Sequence, residues 1–163
     1  MCIRDSAKTM KGAALRGHLE TLRWAREKGC DWNAKACEGA AERGHIEVLQ
    51  WLRANGCPWD INTSNLAAQF GHPQTLRWAR ENGCDWNKDT CLNAAAGGQL
   101  EVLEWLRAEG CPGDAGTCWA AVNQGHVEVL RWARENGCPW IAETRDKAAA
   151  ELGYTDDLGN LVG

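Results

Sequence analysis

The chain repeats itself every 27 residues, and that interval fixes what it can fold into. Gly17-His18-Leu19-Glu20, Gly44-His45-Ile46-Glu47, Gly71-His72-Pro73-Gln74, Gly98-Gln99-Leu100-Glu101 and Gly125-His126-Val127-Glu128 stand in register. So do Trp24, Trp51, Trp78, Trp105 and Trp132, and Cys30, Cys57, Cys84, Cys111 and Cys138. A sixth start at Gly153-Tyr154 is displaced by one residue. A fixed period of this size predicts a solenoid, in which each unit buries its apolar side only against its neighbours. One elongated array therefore replaces the compact domain that 163 residues would otherwise suggest.

Within a unit the pattern predicts two helices. Ala36 to Arg43 is rich in alanine, the strongest helix former, and stops at Gly44. Alanine pairs recur here: Ala13-Ala14, Ala40-Ala41, Ala67-Ala68, Ala94-Ala95, Ala121 with Val122, and Ala149-Ala150. The second helix spans Ile46 to Asn55, with Ile46, Leu49 and Leu52 on one stripe and Val48 and Trp51 beside it. Gly56 ends it. A second tryptophan series, Trp32, Trp59, Trp86 and Trp140, is interrupted by Gly113. Its phase points to rings filling the gap between units rather than to a ligand box. Units one, three and five read Trp-Ala-Arg-Glu and units two and four Trp-Leu-Arg-Ala, a 54-residue super-period. Either a two-unit block was duplicated, or large and small side chains alternate where the units pack.

Gly44 to Cys57, taken over five aligned copies, resembles the second helix and following turn of the ankyrin repeat. Thr90-Cys91-Leu92-Asn93-Ala94-Ala95 is similar to that family's Thr-Pro-Leu-His-x-Ala helix, lacking its Pro and His. The resemblance runs over residues 8 to 153. It implies an all-α helical solenoid of stacked helix-turn-helix units that binds a partner protein and lives inside a cell, in the cytoplasm. The usual unit has ~33 residues. The shortfall falls on the inter-repeat loop, so a clipped loop without a β-hairpin is expected, as in the short Trp- and Cys-rich variants of algae, protists and giant viruses.

The expected organisation is a non-repeat segment at 1–6 that reads as an assembly scar, an array at 7–152, and a degenerate unit or cap at 153–163. A piece of a longer array fits the ends equally well. Net charge is −4, which speaks against nucleic acid, and no apolar run approaches the ~20 residues of a membrane span. The periodic Trp-x-Arg could read RNA one base per unit, but its Trp lies on the packing stripe. The nine cysteines are expected as small buried apolar groups in a reducing compartment. The alternative is a metal or redox contact of the Cys30/Cys37 type. Equivalent residues in adjacent units stand ~10 Å apart. His18, His45, His72 and His126 therefore cannot converge on one metal, and a backbone hydrogen bond is expected for them. Glu47, Glu101 and Glu128 are expected on a solvated face. No catalytic constellation and no cofactor motif is present in the sequence, so the chain is expected to be a non-enzymatic monomer.

Constant positions specify the stack and varying ones are free to specify a partner. On the first helices these are Glu38/Gly39, Asn65/Leu66, Leu92/Asn93 and Trp119/Ala120. Before the closing glycines they are Glu42/Arg43, Gln69/Phe70 and Asn123/Gln124. The expected partner-binding residues are Leu66, Phe70, Leu92, Asn93, Trp119 and Asn123. Leu66, Phe70 and Trp119 are the expected exposed anchors, since large side chains, aromatics above all, dominate interface hot spots.

Overall fold

The computed structural model describes residues 6–139 and 141–154. They form eleven helices and no strand: α1 (Ser6–Leu15), α2 (Leu19–Glu27), α3 (Ala34–Glu42), α4 (Ile46–Ala54), α5 (Ile61–Gln69), α6 (Pro73–Glu81), α7 (Lys88–Ala96), α8 (Leu100–Ala108), α9 (Ala115–Asn123), α10 (Val127–Glu135) and α11 (Ala142–Leu152). The odd-numbered helices stack on one another in chain order, and each packs on the even-numbered helix that follows it, up to α10. The loops 55–60, 82–87 and 109–114 carry no hairpin, as the short period predicts.

Alanine explains how closely the first helices approach. Ala14, Ala36, Ala40, Ala41, Ala67, Ala68, Ala94, Ala95 and Ala121 are fully buried between layers. In the sixth unit the buried alanine is Ala148, 27 residues after Ala121, while Ala150 is exposed. The pair Ala149-Ala150 expected from sequence is thus one residue out of phase. The second helices contribute Leu22, Leu49, Leu76, Leu103 and Leu130, all buried. Each such leucine is worth roughly 1.5–3 kcal/mol of burial. Val48, Leu49 and Leu52 form the buried stripe of α4, with Ile46 and Trp51 at its half-buried margin.

Both helix ends in a unit close with the same backbone device. His45 N–H donates to Ala40 O and Gly44 N–H to Ala41 O, with Gly44 at φ +69°. At the end of α4, Cys57 N–H donates to Leu52 O and Gly56 N–H to Arg53 O. This is a Schellman turn, whose residue after the glycine makes an apolar contact back onto the helix. The cysteine phase follows from that: Cys30, Cys57, Cys84, Cys111 and Cys138 occupy this buried position.

Helix starts use a signal that sequence reading passed over. Asn33, Asp60, Asn87 and Asp114 each accept, through the side chain, the backbone N–H two residues on. Ile141 takes the place in the sixth unit and caps nothing. Replacing Asp60 with alanine should cost about 1 kcal/mol, read as a lower urea midpoint. An unchanged midpoint would show that the cap is dispensable.

Candidate functional site: the first-helix face and the inter-repeat ladder

The tryptophans form a ladder between layers. Trp32 meets Trp51 edge-on at 5.7 Å between ring centroids, Trp59 meets Trp78 at 5.8 Å, and Trp86 meets Trp105 at 5.3 Å. The other side of each loop ring is covered by its own unit's arginine: Arg26 over Trp32 at 4.4 Å, Arg53 over Trp59 at 4.2 Å, Arg80 over Trp86 at 4.6 Å. Arg53 and Arg134 also donate to the carbonyls of Cys57 and Cys138 at the helix C-terminus, where the dipole favours a cation. The rings are inter-unit filler, as their phase predicts. Trp140 lies outside the described residues, and Trp24, with no second-series tryptophan before it, is 53% exposed.

Two of the four histidines, His72 and His126, bond backbone, and they do so across the layer boundary, to helix ends rather than to loops. His72 Nε2 sits 3.1 Å from Glu42 O and His126 Nε2 3.1 Å from Ala96 O. Gln99 Nε2 replaces the ring in the fourth unit, 3.3 Å from Gln69 O. Each thereby satisfies a carbonyl left over at the end of the previous unit's first helix. Glu47, Glu101 and Glu128 are exposed, as expected, but Glu38 is buried and bonded by Lys35 Nζ at 2.9 Å. A carboxylate three residues after a lysine on a helix was a legible pair.

The thiols are buried, and their pairing differs from the Cys30/Cys37 contact considered from sequence. Cys91 on α7 donates to Cys111 after α8, with sulfurs 3.2 Å apart. Cys118 Sγ lies 3.9 Å from Cys138 O, as Cys91 Sγ does from Cys111 O, and Cys37 and Cys57 occupy the same two buried positions in the second unit. Ser64 stands in for the first-helix cysteine of unit three, donating to Cys84 Sγ at 3.2 Å. Within a dithiol the hydrogen bond that the first-helix thiol donates to its partner, and then burial, push that thiol up. The same bond holds the acceptor down, Cys138 to about 7, with Arg107 and Arg134 nearby helping against the opposing effect of burial. Cys84, without a thiol partner, is pushed up by burial. Eight cysteines are free among the described residues.

Of the six positions singled out for a partner, Phe70 is 44% and Trp119 46% exposed. Leu66 is half-buried rather than exposed. Leu92 is also half-buried and packs on the core, reaching over Gly116 of the next unit's first helix. Asn93 Nδ2 donates to Asp89 O at 2.7 Å within its own helix, and Asn123 Oδ1 accepts from Lys147 Nζ of the next first helix. A parallel link, Thr90 Oγ1 to Asn65 Oδ1 at 2.7 Å, joins α7 to α5. The position of Asn65 carries Glu38, Leu92 and Trp119 in other units. Thr63, Thr117 and Thr144, which follow those residues in the stack, keep buried hydroxyls without a hydrogen bond.

Among the described residues no cluster of three or more His, Cys, Asp or Glu side chains could hold a metal ion, and no helix is long and apolar enough to cross a membrane. What the geometry defines is a repeat array whose chemistry is spent on stacking and whose variation lies on the first helices. A family described as ankyrin repeats, many copies, matches residues 11–52 and 36–80. The nine-residue helices of those units continue in the same order through α10. Residues 11–80 thus match the ankyrin repeat, a family whose members generally mediate protein–protein interaction and are typically non-enzymatic. None of the curated proteins compared matches it.

Proposed function

We propose that this chain is a non-catalytic scaffold that holds a partner protein on its first-helix face. Phe70 and Trp119 are the anchors, Leu66 and Leu92 form the apolar margin, and Asn93 and Asn123 supply polar contacts. The observation that carries the reading is the exposure of Phe70 and Trp119 in an array whose other large apolar first-helix side chains are, among the described residues, buried or half-buried. An aromatic left half in water contributes little to a fold and much to an interface core. The expected setting is a reducing intracellular one, supported by the free buried thiols, and the expected state is a monomer.

The test is affinity capture from a host lysate with the parent chain and with the double variant Phe70→Ala/Trp119→Ala. The proposal expects the variant to lose the captured protein while its far-UV circular dichroism stays unchanged. Retention of the same protein by the variant would instead fit a spacer segment of a longer array, and a loss of helicity would assign both rings to packing.

A further inference from the structure

The dithiols are a reactive feature that stacking does not require, since Ser64 fills the same place beside Cys84 at the same 3.2 Å. An apolar filler would need no sulfur partner. Yet Cys91 meets Cys111 sulfur to sulfur, Cys118 reaches the carbonyl of Cys138 at the same 3.9 Å as Cys91 reaches that of Cys111, and Cys37 and Cys57 fill the same two buried positions of the second unit. Met10 holds the equivalent place in the first unit. We propose that Cys37/Cys57, Cys91/Cys111 and Cys118/Cys138 are oxidation sites that close to intra-repeat disulfides when the chain meets a peroxide.

The geometry is close to sufficient. The Cys91 and Cys111 sulfurs are 3.2 Å apart, so forming a bond of ~2.05 Å needs a displacement on the order of 1 Å. No change of helix order is involved, because both cysteines belong to one helix-turn-helix unit. The chemistry balances without a metal. The thiolate of the acceptor cysteine attacks a peroxide oxygen, the O–O bond breaks, and a sulfenic acid and water result. The partner thiol then attacks the sulfenic sulfur. An S–S bond forms, the S–O bond breaks, and a second water leaves, so two thiols are oxidised and one peroxide reduced.

Cys138 is the first attacker, because its thiol is held near 7 and a thiolate is the nucleophile. Access comes from opening of single units, which in a quasi-one-dimensional array costs least toward the ends. Each link would tie the start of a unit to its end, and so stiffen that unit against opening.

The experiment uses the full reduced chain, folded, exposed to hydrogen peroxide, quenched with an alkylating agent and mapped by non-reducing peptide mass spectrometry. Three linkages are expected, 37–57, 91–111 and 118–138, with 118–138 appearing first and none at Cys30 or Cys84. The oxidised chain should melt at a higher temperature and return to the reduced value on adding a reductant. Ser64→Cys should gain a fourth linkage, 64–84, and Cys111→Ser should lose 91–111 alone. Linkages between other cysteines, linkages that form only in denaturant, or oxidation that stops at unlinked sulfinic acids would overturn the proposal.

Discussion

Gly44→Ala should lower stability by about 3 kcal/mol, while Gly56→Ala should lower it by only about 1–2 kcal/mol. Both glycines lie in the left-handed region, at φ +69° and +79°. Both substitutions therefore carry the same backbone penalty for an L side chain. The difference is the neighbour. A Cβ on Gly44 would lie 2.5 Å from His72 Nδ1 of the next unit, whereas Gly56 has nothing within 4 Å. The imidazole cannot simply swing aside, because His72 Nε2 is engaged with Glu42 O across the same boundary. The excess cost of Gly44→Ala over Gly56→Ala thus measures one layer contact. Urea titration followed by circular dichroism reads it, and equal losses for the two variants would mean that the ring yields at no cost. Gly97→Ala extends the comparison to a clash that nothing flexible can relieve. Its φ is ordinary, at −84°, but the added carbon would lie 1.8 Å from the backbone oxygen of Gln69.

Ala79→Leu is the second large effect expected, a loss of about 1–3 kcal/mol from overpacking. Ala25, Leu52, Ala79, Leu106 and Ala133 occupy one phase of successive second helices, and all five are buried. Ala79 is fully buried and stands in register between Leu52 and Leu106 of the units on either side. The substitution turns the sequence Leu52, Ala79, Leu106 into three leucines in a row and forces rotamers or helices to shift. A lower thermal midpoint is expected. A midpoint that holds or rises would leave the 54-residue super-period as the trace of a duplicated pair of units, with no packing role.

Much of this was legible in the chain because every layer repeats the same local solution. The period, the paired helices and the turn glycines follow from spacing alone, and the absence of a hairpin follows from the shortfall against the longer ankyrin unit. The asparagine and aspartate caps were equally legible at Asn33, Asp60, Asn87 and Asp114, in phase after each loop, and were simply not read. The thiol pairing was not legible. It joins residues twenty apart across a turn, as in Cys91 and Cys111, and depends on how the two helices of a unit are rotated about each other. Sequence spacing drew attention instead to Cys30 and Cys37, which lie close along the chain but belong to successive units. The candidate interface was half legible. Variation pointed to Phe70 and Trp119, which are exposed. It also pointed to Leu66, Leu92 and Asn123, and these are partly taken up by the stack, because a varying position can change its neighbour in the next layer as easily as its partner in solution.

The layered order itself is tested most directly by distances along the second helices. Glu20, Glu47, Gln74, Glu101 and Glu128 are exposed and in phase. Spin labels attached there through a ketone-bearing unnatural side chain leave the native cysteines untouched. With one label at position 20 and the other moved to 47, 74, 101 and 128, double electron–electron resonance should give separations that rise by about 10 Å per unit. Separations that level off after the second unit, as they would on the surface of a globule, would contradict the stack.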